Sequence, residues 1–178
     1  LKLRKSVELD VAGASTVVAD LAGEKVADLL LINDRDLSYA KLRFDDRSIA
    51  TLKTHLGKLD DALARALCWA SIWDMHRDAE ISSADFIEIA LNGLAGETDD
   101  AIVNIVLMQL NTSVEAYAKD SNRAAYREKL ANGLWALTQS SAPGSDLQLL
   151  ISRYFAVNAH SADQTAMIRE LLNGGAPG

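Results

Sequence analysis

Apolar and polar positions alternate with a period of two over much of the first 45 residues. From Leu1 to Val11 the odd positions are mostly apolar, whereas the even positions are polar or charged. This alternation is typical of a β-strand with one buried face. Three further runs, at residues 16–21, 28–33 and 39–44, follow at a spacing of about ten residues. The pattern therefore predicts four short strands of a sheet or sandwich.

After Asp45 the apolar residues recur every three or four positions, which is the period of an amphipathic helix. Asp45 or Asp46 is suited to cap the first helix, because a carboxylate accepts hydrogen bonds from the free N–H groups of the first turn. Gly57 is expected to end this helix in the left-handed conformation that glycine adopts at low cost. The second helix is predicted to run from Asp60 to Asp78.

Capping and turn residues divide the remaining sequence into further helices. Ser82 with Asp85 resembles a capping box, and Thr98-Asp99-Asp100 is suited to open the next helix. Ala142-Pro143-Gly144 breaks the pattern. The helices after Asp100 are marked by apolar residues within 102–110, 126–137, 147–155 and 167–172. About six or seven antiparallel helices are expected in all.

The predicted helices fall into pairs that recur at roughly 40 residues, the period of HEAT and armadillo repeats. The expected fold is mainly α, with a short N-terminal β segment followed by stacked antiparallel helix pairs. Two domains are predicted: residues 1–45 as the remainder of a β-sandwich domain, and residues 46–178 as the first part of a helical repeat domain. Residues 173–178 cannot continue the last helix, no polar capping repeat follows, and position 1 is not Met. The sequence is therefore expected to be a piece of a longer protein.

Composition argues against several classes of protein. Apolar residues form 49% of the 178 residues, enough for a packed core, while the mean hydropathy is +0.01 and no long apolar run suggests a membrane span. The net charge of −7 and the scattered basic residues argue against a nucleic-acid surface, which needs clustered Lys and Arg. The single cysteine, Cys68, cannot form an internal disulfide. A reducing compartment, most simply the cytoplasm, is therefore expected.

The three histidines do not form a zinc-peptidase motif. That motif needs two histidines four residues apart on a helix, with a glutamate beside the first as general base. His55, His76 and His160 are isolated from one another and fit no such spacing. His76 has acidic neighbours in Asp74, Asp78 and Glu80, and a solvated surface cluster is the expected role of this group.

The remaining candidate residues favour structural roles. Cys68 lies between Leu67 and Trp69 in an apolar helix, where a buried thiol is inert. Trp69, Trp73 and Trp135 stand at helical spacing and are expected to pack between helices. The glycines form neither of the phosphate-binding patterns, and no serine stands in a Gly-x-Ser-x-Gly turn. The residues alone therefore predict a helical scaffold with no catalytic, cofactor-binding or metal-binding residue.

One stretch near the predicted change of period resembles a known enzyme family. Residues 37–45 read Leu-Ser-Tyr-Ala-Lys-Leu-Arg-Phe-Asp. They are similar to the segment of M1-family zinc aminopeptidases that joins a small β-sandwich domain to the C-terminal helical domain. The family pattern is Tyr-Tyr-Arg-Val-x-Tyr-Asp. The residues that fit it conservatively are Tyr39, Lys41, Leu42, Phe44 and Asp45, while Ala40 replaces its second aromatic residue.

A second stretch extends this resemblance. Residues 63–75, Leu-Ala-Arg-Ala-Leu-Cys-Trp-Ala-Ser-Ile-Trp-Asp-Met, resemble the next helix of bacterial aminopeptidase N. Asp85-Phe86 and residues 96–99, Gly-Glu-Thr-Asp, continue the similarity in the same order. In total the resemblance runs from about Asp28 to the final helix. Its strength lies in the order and spacing of short motifs.

The resemblance implies a zinc exopeptidase that removes N-terminal amino acids from peptides. The family's zinc and substrate-amine motifs belong to an upstream catalytic domain, so no catalytic residue is carried onto this sequence, which is expected to be inactive alone. Zinc is expected in the parent enzyme, with no cofactor in these 178 residues. The implied partners are the catalytic domain of the same chain and peptide substrates. The implied role is a wall over the active site that limits entry to peptides able to thread in.

Two other classes of function compete with this one. A free-standing helical-repeat interaction module is the main alternative, and it would need a capped last repeat and a coherent exposed groove. A self-contained hydrolase using scattered carboxylates is disfavoured, because no base, nucleophile or metal set is in place. An upstream His-Glu-x-x-His sequence with a distant Glu would decide for the aminopeptidase.

Overall fold

Seven α-helices lie between Asp46 and Leu172 in the computed structural model, which describes residues 1–175. They are α1 (Asp46–His55), α2 (Ala62–Arg77), α3 (Ser83–Leu94), α4 (Asp100–Thr112), α5 (Asp120–Ser140), α6 (Asp146–Asn158) and α7 (Ala162–Leu172). A 3-10 turn, Leu56–Lys58, follows α1, and a π-helical turn, Ser113–Tyr117, follows α4. The helical part of the predicted fold is confirmed. Of the predicted terminating run 173–178, the last three positions lie outside the described residues.

Side-chain caps mark where α1, α3 and α4 begin. The Asp45 carboxylate accepts a hydrogen bond of 2.7 Å from the Ser48 N–H, and Asp99 caps α4 in the same way. Ser82 accepts a bond from the Asp85 N–H, and its hydroxyl donates to the Asp85 carboxylate at 2.6 Å. These contacts satisfy N–H groups that have no partner within the helix. The capping roles predicted for Asp45, Ser82 and the Thr98–Asp100 run are thereby confirmed.

The helices pack in two layers. Along one side α3 packs against both α1 and α5, and along the other α4 packs against both α2 and α6. We refer to α1, α3 and α5 as layer A and to α2, α4 and α6 as layer B. Contacts between consecutive helices, most extensive between α5 and α6, join the two layers. This alternation is what stacked helix pairs produce, because each pair rests on the next.

Helices α4 and α6 of layer B run in the same direction. In layer B the Tyr154 hydroxyl donates to the Asn104 side chain at 3.2 Å, and the Asn158 amide donates to the Asn111 side chain at 2.9 Å. Positions on α4 and α6 therefore advance together. In layer A the helices begin at residues 46, 83 and 120, a constant step of 37 residues. This step agrees with the pair length of helical repeats.

Aromatic side chains fill the seams between helices. Trp73 of α2 meets Phe86 of α3 with ring centroids 5.3 Å apart, and Trp135 of α5 meets Phe155 of α6 at 4.9 Å. Phe86 and Phe155 are fully buried, and Trp69 is nearly so. The sequence-based expectation that these aromatic residues pack between helices is confirmed. Such contacts combine a large buried area with a preferred ring geometry.

The predicted N-terminal β segment is wrong, because no strand is present in residues 1–175. Residues 1–45 form irregular chain with turns, and a 3-10 turn, Ala19–Leu21, occupies part of the expected second strand. The side chains expected to face a core are exposed, Leu3 by 78% and Val11 by 75%. A strand is stable only when a neighbouring strand pairs with its backbone, and these segments do not pair with one another.

Gly57 does not adopt the left-handed conformation expected of it. It lies in the turn after α1, and a Cβ atom at this position would lie 2.4 Å from the Gly93 carbonyl oxygen. A Cβ atom on Gly96 would likewise lie 2.4 Å from the Gly57 carbonyl oxygen. The turn after α1 therefore packs backbone against backbone on the end of α3. Glycine is required there by lack of space, since carbon and oxygen atoms normally stay more than 3 Å apart.

The two halves of the N-terminal segment differ in how they attach to the helices. The Thr51 hydroxyl donates to the Asp28 carbonyl at 2.7 Å, and the Leu30 N–H donates to the Ser48 hydroxyl at 3.0 Å. Phe44 is buried and its N–H lies 3.4 Å from the Met75 sulfur. Residues 28–45 therefore lie along α1 and the end of α2. Residues 1–27, by contrast, contain no buried residue.

Candidate functional site

His76 is buried, so the prediction that it belongs to a surface cluster with Asp74, Asp78 and Glu80 is wrong. Only 3% of the residue is exposed. The reason lies in helix geometry, because residues four apart share one face of a helix. His76 follows the buried Ile72 by four positions and so continues the apolar stripe of α2. Its acidic neighbours stand at other angles around the helix and beyond its end.

The surroundings of His76 are aromatic. Its ring stacks on Phe86 with centroids 4.8 Å apart and meets the edge of Tyr117 at 5.3 Å. Nδ1 lies 3.3 Å from the Ile81 carbonyl oxygen, and buried Nε2 has no partner in the described part of the chain. Burial lowers the pKa of this imidazole more than the bond to Ile81 raises it. His76 is therefore a neutral core residue.

The acidic residues near the end of α2 bind basic residues of the N-terminal segment. Lys41 Nζ lies 2.9 Å from the Asp78 carboxylate, and Arg43 Nε lies 2.5 Å from the Glu80 carboxylate. Arg43 also contacts Asp78. The hydrogen bond from Lys41 is the main reason that the pKa of Asp78 is lowered. These pairs hold residues 41–43 against the end of α2, and they leave both carboxylates engaged.

No arrangement suited to metal binding is present in residues 1–175. His55 is exposed at the end of α1, where its Nδ1 lies 2.7 Å from the Thr54 hydroxyl, and His160 is exposed between α6 and α7. No group of three or more His, Cys, Asp or Glu residues within this range could hold a metal ion. The described residues therefore do not fit the zinc site that the family resemblance implies for a parent enzyme.

Cys68 is a core residue, as predicted. It is fully buried, and burial raises the pKa of its thiol to about 12. A thiol with so high a pKa carries almost no thiolate at neutral pH, and the thiolate is the nucleophilic form. Cys68 is therefore suited to packing within α2 and not to nucleophilic catalysis.

A buried ion pair joins the start of α2 to the loop before α4. Glu97 is 3% exposed, and its carboxylate accepts hydrogen bonds from Arg65 Nε at 3.2 Å and from the Trp69 indole at 3.1 Å. The N–H groups of Thr98 and Asp99 donate to the same carboxylate. Burial alone would raise the pKa of Glu97, but these donors, Arg65 first among them, outweigh burial and lower it.

The sequence pattern does not single out this ion pair. The one sign of it in the sequence is the position of Arg65 in the stretch Leu63-Ala64-Arg65-Ala66-Leu67, where the four neighbouring residues are all apolar. A charged residue within an apolar helix is rarely buried without a partner. Its partner, Glu97, is 32 residues away in the sequence and could not be identified from spacing alone.

The two layers differ in how many large apolar residues they expose. Every large apolar residue that is exposed on the first six helices, or on the turn after α4, belongs to the layer B side of the described chain. These residues are Leu63, Ile105, Met108, Tyr117, Leu149 and Val157. The exposed residues of layer A include Glu88, Asn92 and Glu128, and layer B also exposes charged residues such as Asp100 and Arg153.

Comparison with known proteins defines the class of this two-layered helical chain. Residues 29–178 match the model of the ERAP1-like C-terminal domain. The match covers most of the chain, which therefore belongs to the family of ERAP1-like C-terminal domains. The match begins within the segment that lies along α1 and extends through all seven described helices.

A curated relative gives this class a more particular context. The chain is 40% identical over 168 residues to aminopeptidase N of Streptomyces lividans. The aligned region is 94% of this chain and 20% of that protein, so the chain spans about a fifth of the length of the relative. The resemblance to the C-terminal region of an aminopeptidase, predicted from residues 37–45 and 63–75, is confirmed. No helix within residues 1–175 has the length and apolar character needed to cross a membrane.

Proposed function

We propose that this chain is the non-catalytic C-terminal region of a zinc aminopeptidase of the M1 family, which removes N-terminal amino acids from peptides. The observation that carries the proposal is the 40% identity to an aminopeptidase N over nearly the whole chain. The membership of the ERAP1-like C-terminal domain family supports the same position within the protein. The zinc ion, with its ligands and the general base, would belong to a catalytic domain elsewhere in that protein.

The chain is proposed to contribute parts of two domains. Residues 1–45 would complete a β-sandwich domain, and residues 46–178 would begin a helical repeat domain. The start of α1 at Asp46 and the exposed apolar side chains of residues 1–27 support this division.

Within such an enzyme the helix pairs are proposed to form a wall of the active-site chamber and to limit substrate access. Stacked pairs rotate slightly at each step, so the complete stack would be a curved superhelix with a concave side. The part of the wall that lines the chamber is proposed to be mostly polar, because it must stay wet and pass side chains of varied chemistry. A cytoplasmic location is proposed from the single cysteine, which is buried and free.

Removing this region from the longer protein tests whether it limits the access of peptides to the active site. We expect the shortened enzyme to lose its discrimination between short and long peptides, measured as the ratio of kcat/KM values for peptides of increasing length. Hydrolysis of a small alanine chromogenic amide by the same preparation controls for damage to the catalytic domain. Unchanged length discrimination in a stable shortened enzyme would contradict the proposed wall.

The same assay applied to the 178-residue chain tests its catalytic role. With zinc added, the chain is expected to release no chromophore above the buffer rate. Stoichiometric zinc binding with measurable hydrolysis would overturn the assignment of this region as non-catalytic. Absence of aminopeptidase activity from the intact longer protein would instead favour the alternative role, a helical-repeat module for protein interaction.

A further inference from the structure

We propose that Asn173 is a site of spontaneous deamidation, at which water converts the side-chain amide to a carboxylate and ammonia is released. The site lies just beyond the end of α7, in the dipeptide Asn173-Gly174. The observations that carry the proposal are the backbone conformation of this dipeptide and the open space around Gly174. The modification goes beyond the proposed aminopeptidase role and does not depend on it.

The sequence contains three Asn-Gly dipeptides, which begin at Asn92, Asn132 and Asn173. An asparagine before glycine is especially prone to deamidation, because glycine has no Cβ atom to shield its backbone nitrogen. All three asparagine side chains are exposed. Neither the dipeptide nor its exposure therefore distinguishes the three positions, and any difference in reactivity must come from the backbone around them.

The first two dipeptides are held inside helices, Gly93 in α3 and Gly133 in α5. The helical ψ angle of about −42° keeps the nitrogen of the following residue away from the side-chain carbonyl carbon. Both glycines are also closely packed. A Cβ atom on Gly93 would lie 2.5 Å from the Trp69 ring, and one on Gly133 would lie 2.5 Å from the Leu91 side chain. Reaction at these positions therefore requires α3 or α5 to unwind against its neighbours.

The third dipeptide lies where the helical backbone ends. Asn173 has a ψ angle of 9°, and Gly174 has a φ angle of +86°. The Gly174 N–H donates to the Leu171 carbonyl at 3.1 Å, and the Gly175 N–H donates to the Glu170 carbonyl at 2.9 Å. A Cβ atom on Gly174 would meet no heavy atom of residues 1–175 within 4 Å. Helix ends fray at low cost, so opening this turn frees both the Gly174 nitrogen and the ψ angle of Asn173.

The reaction at the opened turn needs water and no other group from outside the dipeptide. The Gly174 backbone nitrogen loses its proton and bonds to the side-chain carbonyl carbon of Asn173. The bond from that carbon to Nδ2 breaks, and Nδ2 leaves as ammonia after taking up a proton, which produces a cyclic imide. Water then opens the imide at one of its two carbonyl carbons, giving aspartate or isoaspartate at position 173. No oxidant or reductant is involved.

The added carboxylate is expected to loosen α7. The C-terminal end of a helix carries a partial negative charge, which repels a second negative charge placed there. Arg169 and Glu170 in the last turn of α7 carry opposite charges, so together they do not compensate for the new one. Among the described residues, Gln164 is the one buried residue of α7, and its amide donates to the Asn132 side chain at 2.9 Å. Few contacts therefore hold this helix against the repulsion.

Incubation of the intact protein in mildly alkaline buffer, followed by digestion and peptide mass spectrometry, tests the site. We expect deamidation at Asn173 to proceed at least about tenfold faster than at Asn92 or Asn132, because the cost of local opening differs. In urea the three positions should react at similar rates, because no helix protects them. Equal rates in the folded protein, or no reaction at Asn173, would overturn the proposal. A difference of the same size in urea would contradict the role assigned to the backbone.

Two substitutions test the effect of the added charge on α7. Asn173→Asp reproduces the charge of the product, and we expect it to speed amide hydrogen exchange in α7 by about twofold to fivefold. Asn122→Asp is the matched control, because it adds the same charge in the first turn of α5, where a carboxylate interacts favourably with the helix dipole. It is expected not to speed exchange in α5. Faster exchange in both helices, or in neither, would contradict the effect proposed for the carboxylate at position 173.

Discussion

At the scale of single residues, Glu97 and His76 both place a titratable group in the core, and their surroundings act on it in different ways. Nitrogen donors from Arg65, Trp69 and the following backbone surround the Glu97 carboxylate and keep it ionised. Aromatic rings surround His76 and keep it neutral. In both cases the folded protein binds protons less readily than the unfolded chain does, so both residues make the fold sensitive to acid.

Replacing Glu97 by Gln is expected to destabilise the fold by about 3–5 kcal/mol at neutral pH, because Arg65 would keep a buried charge without its counter-charge. The lowered pKa of Glu97 means that its contribution is present above the unfolded value of about 4.3 and is lost as the pH falls through the folded value. The variant should therefore lose less of its remaining stability than the original protein does when the pH falls below about 4.3.

Urea unfolding at a series of pH values measures both effects of the Glu97 substitution. Glu128→Gln on the exposed surface of α5 is the matched control, and it is expected to change stability by less than about 0.5 kcal/mol. If the two variants were equally stable at neutral pH, the ion pair would not have the structural role assigned to it.

At the scale of helices, the ends of α1 and α3 meet through a backbone contact that depends on two glycines. Gly57→Ala or Gly96→Ala would place a methyl group 2.4 Å from a carbonyl oxygen of the facing segment. Because both sides of the contact are backbone, the clash cannot be relieved by rotating a side chain. Each substitution is expected to destabilise the protein by about 1–3 kcal/mol, the range for overpacking.

The matched control for the glycine contact is Lys58→Ala, an exposed position in the same turn. Thermal unfolding followed by circular dichroism should show a lower midpoint for both glycine variants and little change for the control. An unchanged midpoint for Gly57→Ala would show that α1 and α3 can separate without loss of stability, contrary to the close contact described above.

The helices could be predicted from the sequence because their signals are local. Asp45 and Ser82 cap helices that begin at the next residue, and apolar residues at three- and four-residue spacing define the buried stripes. The predicted strands are wrong because an alternating apolar pattern shows which face of a strand would be buried. It does not identify a second strand that could pair with the backbone. The Arg65–Glu97 pair depends on a contact across 32 positions, and the burial of His76 depends on the rings packed around it. Spacing along the chain contains neither kind of information.

At the scale of the whole molecule, the N-terminal segment is joined to the helices through its second half only. Residues 28–45 contribute the buried Phe44 and hydrogen bonds to α1, whereas residues 1–27 contain no buried residue. The free energy of unfolding should therefore depend more on residues 28–45 than on residues 1–27, since folding is driven mainly by the removal of apolar surface from water.

Two N-terminal deletions test this difference. Removing residues 1–27 is expected to leave the unfolding midpoint of the helices nearly unchanged. Removing residues 1–45 should lower it by several degrees, because Phe44 no longer covers Met75 and the Leu30–Ser48 hydrogen bond is lost. The difference between the two midpoints, measured by differential scanning calorimetry, is the decisive quantity. Equal midpoints for the two deletions would contradict the attachment of residues 28–45.

The two-layer arrangement has a consequence for how the chain is made. Among the described helices, extensive contacts are made either between consecutive helices, such as α5 and α6, or between a helix and the next but one, such as α1 and α3. Folding slows when contacts must form between residues distant in sequence, because long loops must close first. Here each helix pair can settle on the pair before it as soon as both have left the ribosome. Folding can therefore proceed from the N-terminus to the C-terminus during synthesis, with each folded helix pair providing the surface on which the next pair packs.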